Sequence, residues 1–421
     1  MKIQPARGTR DIYGKELSAF LFVENTARAL AKRYGFGEIQ TPIFEATEVF
    51  ARGVGETSDI VSKEMYTFTD RGGESFTLRP EGTAGIVRAF ISEGMEQNVP
   101  VKLFYAGPMF RYERPQKGRY RQLHQVGIEI LGAAVPQTDV EVLCLGWDFL
   151  SALGLQDHIR LELNTLGDTE SRAAYRKALV TYFEQYKDKL SEDSLNRLEK
   201  NPLRILDSKD EGDKKIVENA PAMTDYLNEE SRAFFEEVKN GLTAMGIPFI
   251  VNPRLVRGLD YYRHTVFEFI TDSLGAQGTV LGGGRYDGLV EELGGPQTPG
   301  IGFGAGIDRL SLLLQEVGKQ PAEPRPIAVI PVGADTLLPI MQAAHTLRQN
   351  GFIVDMAYSG NMGKRMKKAN KINACAAVIM GSDEFAKGVV TVRDLDSGDQ
   401  SEVALADLSG FMQKYKQCQG A

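Results

Sequence analysis

The sequence predicts an α+β protein: an antiparallel sheet flanked by helices, a helical insertion inside it, and a C-terminal α/β domain. Three observations predict this. From 76 to 131, short strand-like runs are broken by turn residues with no regular alternation of strand and helix, which favours an antiparallel sheet over a doubly wound one. From about 167 to 246 the strand signals fade into helical periodicity, and sheet-like patterning returns from 249 to 303. At 318–326 the closely spaced Pro321, Pro324 and Pro326 read as an extended spacer, after which strands and helices alternate.

In chain order, an apolar-periodic helix over about 17–34 is stopped by Gly35 and Gly37. Thr41 and Pro42 then open an extended segment, because the residue before a proline is driven out of the helical region. Within the insertion, helices are expected at 173–190, 194–199 and 231–245. The strands returning at 249–303 complete the sheet begun before it. Past the spacer, 327–332, 352–356, 376–380 and 389–392 read as strands with helices between the first three. A chain of 421 residues exceeds what one hydrophobic core organises. The expected boundaries are 1–166 and 248–318 for the two parts of the main domain, 167–247 for the insertion, 319–326 for the linker and 327–421 for the terminal domain.

Composition narrows the function classes. A net charge of −7 disfavours a protein that coats nucleic acid indiscriminately, since such binding rests on many Lys and Arg contacts to phosphate. No stretch approaches the roughly 18 apolar residues of a membrane helix, and the polar start at 1–14 lacks the apolar core of a signal peptide, so a cytoplasmic location is expected. Cys144, Cys375 and Cys418 are far apart and have no Cys or His at metal-ligand spacing, which signals neither a disulfide framework nor a dedicated metal cage.

Four constellations carry chemistry. In the first, a strand ends in the turn Pro80, Glu81, Gly82 and a helix from about Ala84 follows, with Thr83 as its cap. Glu81 would sit beside the helix N-terminus, where, taken alone, it does no more than complement the dipole. The second is a hairpin of strands at 102–111 and 122–132. Its loop holds Arg111, Glu113, Arg114, Lys117, Arg119 and Arg121, a set suited to clamping phosphates bidentately. On the return strand Val126, Ile128 and Ile130 share one face, while Gln125 and Glu129 share the other with Gly127 between them, either a ligand face or a solvated one.

The third constellation runs from Leu255 through Arg257, Gly258 and Asp260 to Tyr261 and Tyr262. An arginine beside two tyrosines is either packing with a stacked guanidinium or chemistry. The fourth pairs the glycine turn at 282–288 with glycine at every second position of 300–306, followed by Asp308 and Arg309. Such a strand bares one face, which suits a flat ligand such as adenine or the close packing of a helix. Arg309 falls in the first turn of the helix 307–314, where a cation is disfavoured unless an anion such as a triphosphate binds. No dinucleotide-binding or Walker loop occurs. Together the four describe an ATP site in which Glu81 and Glu129 suit an ammonium or imidazole group, and Arg111, Arg257 and Arg309 suit carboxylate and phosphate oxygens.

On these residues the chain resembles bacterial histidyl-tRNA synthetases, class II aminoacyl-tRNA synthetases, along essentially its whole length. Residues 41–45 look like motif 1, 110–127 like motif 2 and 302–309 like motif 3, while 255–262 and 283–288 are similar to the two signatures of histidine enzymes. The resemblance implies a class II catalytic domain and a terminal anticodon-binding domain. It implies that Glu81, Thr83 and Gln125 hold the α-amino end of histidine and that Glu129 and Tyr262 address the imidazole, with Tyr261, Tyr286, Arg111 and Arg257 completing the set. It assigns Arg111, Glu113, Arg119 and Arg309 to ATP, with Arg257 bridging the histidine carboxylate and the α-phosphate, so that Arg257 and Arg111 are the catalytic pair.

Mg²⁺ is expected to be bound chiefly through ATP oxygens. Partners implied are tRNA(His), with Arg114, Gln116 and Arg121 near its acceptor end, and a second copy of the chain, since motif 1 forms the family's dimer interface. Leu123 stands where relatives often carry an aromatic over the adenine, and Asp308 where glutamate is frequent. The basic run Lys364, Arg365, Lys367, Lys368 and Lys371 reads as a solvated helix face or a tRNA contact. A synthetase-like regulatory subunit of ATP phosphoribosyltransferase, the closest rival, typically lacks the anticodon domain and signature residues such as Arg257. A general RNA-binding protein is disfavoured by the acidic balance and the compact polar pocket.

Overall fold

The computed structural model describes residues 3–55, 58, 60–259, 261–275 and 278–419, in two compact units divided between Gln320 and Pro321. Asp260 of the third constellation lies outside the described residues. In the first unit the elements run α1 (Gly14–Arg33), β1 (Gly37–Glu38), β2 (Phe44–Ala46), α2 (Thr47–Val54), β3 (Tyr66–Thr69), β4 (Ser75–Leu78), α3 (Thr83–Ser92), β5 (Val101–Phe110) and β6 (Gln122–Leu131). They continue with α4 (Pro136–Ala152), β7 (Arg160–Thr165), α5 (Thr169–Glu184), α6 (Glu192–Lys200), α7 (Glu211–Val217), α8 (Glu229–Ala244) and β8 (Ile250–Val251). The unit closes with β9 (Arg263–Ile270), β10 (Thr279–Arg285), the single turn α9 (Leu289–Glu292), β11 (Gly300–Gly306) and α10 (Ile307–Glu316).

Eight strands form the main sheet in the order β1-β5-β6-β11-β10-β9-β7-β8. The six inner strands pair antiparallel, as the sequence predicts. The two-residue edge strands β1 and β8 pair parallel, a detail too short to leave a pattern. Alternation then sorts the faces. Val126, Ile128 and Ile130 of β6 join Phe267, Phe269, Ile301 and Phe303 in one core. Apolar positions of α1, α4 and α10 seal it, Phe20, Val23, Ala27 and Leu30 of α1 recurring at helical spacing. The opposite face carries Tyr105, Tyr262, Val266 and Tyr286, and this is the face that carries the candidate site.

The segment between β7 and β8 is helical, with α7 in addition to the helices read from periodicity. Its apolar residues do not make a separate core. Phe235, Val238 and Leu242 of α8 pack into the first cluster, whereas Tyr175, Leu179, Leu198, Leu203 and Ile205 pack into the second beside Tyr262 and Tyr286. A small sheet of order β2-β4-β3 presents Phe44 and Phe68, 51% and 43% exposed, in edge contact with each other.

The second unit holds β12 (Ile327–Pro331), α11 (Leu337–Gln349), β13 (Val354–Met356), α12 (Met362–Lys371), β14 (Ala376–Met380), α13 (Ser382–Lys387), β15 (Val389–Asp394), β16 (Gln400–Ala404) and α14 (Leu408–Phe411). Its sheet runs β13-β12-β14-β15-β16. The first three strands are parallel and the last two antiparallel. β16 escaped the sequence reading because Val403 is its one buried position, which leaves no alternation to see.

Candidate active site

The polar floor of the site is built where α3 meets β6. The backbone N–H groups of Thr83 and Ala84 donate to the two oxygens of Glu81, each at 2.7 Å. Glu81 thus caps α3, and Thr83, expected in that role, does not. The Thr83 hydroxyl is instead free to donate to Glu129 at 2.8 Å, while the other Glu129 oxygen accepts the Tyr286 hydroxyl at 2.5 Å. Glu81 and Glu129 are both buried. Burial pushes the Glu129 carboxyl up to about 8 against the opposing Tyr286 and Thr83 bonds, and it raises Glu81 against the two backbone donors.

Tyr105, which the sequence reading did not single out, occupies the gap between Gln125 and Glu129. It pairs with Gly127 across the β5–β6 hairpin, and a Cβ at Gly127 would come within 2.3 Å of its ring and hydroxyl. A signal for it existed in that cross-strand register, but the register requires the loop geometry. Burial and the neighbouring Glu129 raise its hydroxyl well above the usual tyrosine range. Tyr261 and Tyr262 pack at 4.6 Å between ring centroids, and Tyr261 meets Tyr286 edge to face at 5.7 Å.

The bare glycine face divides in two. A Cβ at Gly300 would lie 2.2 Å from the Tyr286 ring, and one at Gly302 would lie 1.8 Å from Glu129 Oε2, so these two glycines are required by close packing. Gly304 and Gly306 would meet nothing nearer than 3.8 Å, and they open onto a cavity of about 280 Å³. The surface available to a flat ligand is therefore half of what the repeat suggests.

Arginines line that cavity. Arg111 donates through Nε to the Pro80 carbonyl at 2.8 Å. Arg309, from the first turn of α10, donates to the Thr279 carbonyl at 2.9 Å, and burial together with Arg119 and Arg111 lowers its pKa. Glu113 is buried and ion-paired with Arg119. Arg257 lies over Gly282 and is ion-paired with Glu268, a residue hidden from sequence reading inside the apolar run of β9. The other Glu268 oxygen accepts the Thr279 hydroxyl at 2.7 Å. Burial works against the charge on Arg257, but Glu268 overrides it and holds the guanidinium protonated. The Arg257 Nε is buried with no hydrogen-bond partner among the described residues, a donor available to a ligand.

Gln125 borders both regions, because it lines the cavity and stands beside the Tyr105 hydroxyl over Gly304. Leu123 also lines the cavity. Asp308 serves the scaffold, accepting Arg10 Nη2 at 2.7 Å and the His124 backbone N–H at 2.8 Å, so it pins the start of β6 to the N-terminal segment. In the hairpin loop Arg114 and Gln116 are exposed, whereas the Arg121 guanidinium sits 3.9 Å over the Tyr112 ring.

A family model described as histidyl-tRNA synthetase matches residues 8–310, and one described as anticodon binding domain matches 326–415. A histidine–tRNA ligase of Rhodospirillum rubrum is 60% identical, covering 98% of this chain and 99% of its own. Another, of Picosynechococcus, is 48% identical over 99% of this chain and 98% of its own. Among solved structures, the apo histidyl-tRNA synthetase of S. aureus is similar with a TM-score of 0.82 and 37% identity, covering 97% of this chain and 99% of that one. A Bacillus halodurans chain described as an ATP phosphoribosyltransferase regulatory subunit/histidyl-tRNA synthetase shares the fold, with a TM-score of 0.64 and 21% identity over 87% of this chain and 97% of that one.

Proposed function

The chain belongs to the histidyl-tRNA synthetase family, and from that premise we propose that the buried carboxylate floor and the arginine-lined cavity are the histidine and ATP subsites of one active site. The protein is an aminoacyl-tRNA ligase. It activates L-histidine with ATP to histidyl-adenylate and transfers the histidyl group to the 3′ end of tRNA(His).

The observation that carries the site assignment is the position of Arg257. Its guanidinium lies 5.9 Å from the Tyr262 ring centroid on one side and lines the arginine cavity on the other. Histidine placed with its ammonium at Glu81, Thr83 and Gln125 and its imidazole at Glu129, Tyr262 and Tyr286, walled by Tyr261, brings its carboxylate to Arg257 and Arg111. ATP placed along Gly304 and Gly306 brings its phosphates to Arg111, Arg119 and Arg309, with Glu113 at the adenine end. A carboxylate oxygen then attacks the α-phosphorus in line, the bond to the β-phosphate breaks and pyrophosphate leaves. Arg257 neutralises charge shared by the carboxylate and the α-phosphate, so catalysis is positioning plus a fixed cation. In the second step the terminal ribose hydroxyl attacks the acyl carbon, AMP leaves, and the adenylate phosphate takes the proton.

Glu113 and Glu268 are each engaged by an arginine, which fits Mg²⁺ held chiefly on ATP oxygens and water. When bound, the dication offsets charge on the leaving pyrophosphate.

The domain reading belongs to the same proposal: 1–166 with 248–318 catalytic, 167–247 a helical insertion, 319–326 a linker and 327–421 the anticodon-binding domain. Exposed Arg114 and Gln116, with Arg121, are assigned to the acceptor end of tRNA. A homodimer formed through motif 1 is supported by the exposed Phe44 within it and Phe68 packed against Phe44. No helix among the described residues is long and apolar enough to cross a membrane, and a cytoplasmic location is the reading that suits a tRNA ligase.

Histidine-dependent exchange of pyrophosphate into ATP, followed by charging of purified tRNA, tests the reading. Exchange without amino acid dependence, or driven by another amino acid, would overturn it.

A further inference from the structure

Arg257 rides on residues 252–259, which have almost no regular structure and follow the two-residue β8. A cation that must be fixed for catalysis needs a fixed main chain, and β7 holds the start of this segment: the Asn252 backbone N–H donates to the Leu163 carbonyl at 2.9 Å, Asn252 Nδ2 donates to Glu162 at 2.6 Å, and Asn164 donates to the Leu255 carbonyl at 3.0 Å. The helical segment between β7 and β8 holds the rest. Arg254 donates to the carbonyls of Ala220, Pro221 and Glu218 at 2.6, 2.9 and 3.1 Å. Arg172 of α5 reaches the Tyr262 carbonyl at 3.4 Å.

The contact nearest the chemistry is Arg204, in the 3₁₀ turn Pro202–Asp207, whose Nη1 donates to the carbonyl of Arg257 itself at 3.0 Å. Its guanidinium lies flat enough against the chain that a Cβ at Gly258 would stand 3.4 Å away. Arg204 is in turn held by its own carbonyl, which accepts Arg197 Nη1 at 3.2 Å, and Arg197 is ion-paired with Asp193 at 2.7 Å. A cavity of about 590 Å³ follows this line, bordered by Asp193, Arg197 and Arg204 on one side and by Arg111 and Arg257 on the other.

We infer that Arg204 is a positioning residue for adenylation: it fixes the main chain of Arg257 and so makes the helical insertion part of the catalytic apparatus. The inference rests on the role assigned above to Arg257. Losing a charge-assisted hydrogen bond that acts on the transition state predicts that Arg204→Ala lowers kcat for histidine-dependent pyrophosphate exchange by about 10- to 100-fold. The KM for histidine should move by less than about threefold, because the floor at Glu81 and Glu129 is untouched.

Arg204→Lys, which still carries a donor to one carbonyl, should recover most of the rate. The double variant Arg204→Ala, Arg257→Ala should be no slower than Arg257→Ala alone, since residues acting through one group are not additive. Arg204→Gln covers the case in which the alanine variant does not fold, and a kcat loss at constant KM is expected there too. Unchanged kcat in the folded variants, or additive losses in the double variant, overturns the inference. A wild-type protein without histidine-dependent exchange would instead overturn the function on which it rests.

Discussion

The Tyr286 hydroxyl donates to Glu129 at 2.5 Å, and Gly302 leaves the space that lets the two meet on the sheet. Neither partner reaches solvent. Burial holds this carboxyl up to about 8, which favours its neutral form. The ionised carboxylate is the stronger acceptor for an imidazole N–H, so the role proposed for Glu129 ties histidine recognition to pH.

The affinity for histidine should therefore rise from pH 7 toward about 8, above the titration of free imidazole near 6.5 and before loss of the ligand's ammonium, which Glu81 is proposed to hold, reverses the trend. Stability should run the other way. Because the folded pKa of Glu129 is raised, its contribution is fully present below its unfolded value and is lost as pH climbs through about 8. Glu129→Gln should flatten both dependences and weaken histidine binding by about 10- to 100-fold. Calorimetric titration and thermal melts at pH 6 to 9 would decide it; slopes identical in the two proteins would refute the coupling.

Arg257→Ala should separate binding from chemistry. Removing a preorganised charge donor costs about 100- to 1,000-fold in kcat, whereas the histidine Kd should rise far less, because Arg111 still faces the carboxylate and the proposed floor of Glu81, Thr83 and Glu129 is untouched. Pre-steady-state adenylate formation alongside a histidine Kd gives both quantities. An unchanged adenylation rate would remove the role assigned to this residue.

The repeat of glycines in β11 was legible in the sequence, but its meaning was not. Alternation told that one face was bare; it did not tell that Tyr286 and Glu129 would cover Gly300 and Gly302, because both arrive from other strands. The same limit explains Tyr105 and Glu268, whose relevance lies in the partners Gly127 and Arg257, set by register and by a long-range ion pair. Periodicity along the chain reports which way a side chain points, not what it meets. Arg309 stood out because a cation in the first turn of a helix breaks a local rule that a bound anion would restore, whereas Arg257, read locally, was equally well explained as packing beside two tyrosines.

Two substitutions in β11 test this division. Gly302→Ala puts a methyl 1.8 Å from Glu129 Oε2 and 2.2 Å from a backbone carbonyl, neither of which can retreat, so histidine binding should be lost. Gly304→Ala meets nothing nearer than 3.8 Å and should fold and bind histidine normally, raising the KM for ATP by about tenfold or less as the cavity narrows. Equal effects of the two on histidine would contradict the packing described.

The buried pair of Arg285 and Asp139 makes a stability prediction independent of catalysis. Both side chains are 0% exposed, and Arg285 also donates to the Ala133 carbonyl at 3.0 Å. Arg285→Met would strand a buried carboxylate, a loss of about 3–5 kcal/mol. Urea unfolding should reveal it, and the double variant Arg285→Met, Asp139→Asn should recover part of the loss. Full stability in the single variant would mean that Asp139 finds another partner.

In the terminal unit, α12 starts at the Asn361 side chain, which accepts the Lys364 N–H at 3.0 Å. Two of its basic residues are already engaged, Lys368 with Asp355 at 2.6 Å and Arg365 with the Pro331 carbonyl. Lys364, Lys367 and Lys371 are exposed at positions three and four apart, a single stripe opposite buried Ala369. A stripe of three cations with that spacing suits a phosphate backbone better than an internal network. Replacing the three with alanine should raise the KM for tRNA in charging and reduce the slope of log affinity against log salt by about 2 to 3, since each phosphate contact contributes somewhat under one. Pyrophosphate exchange, which needs no tRNA, should be unchanged. A tRNA KM and salt slope equal to those of the unaltered protein would leave the stripe as an ordinary solvated face.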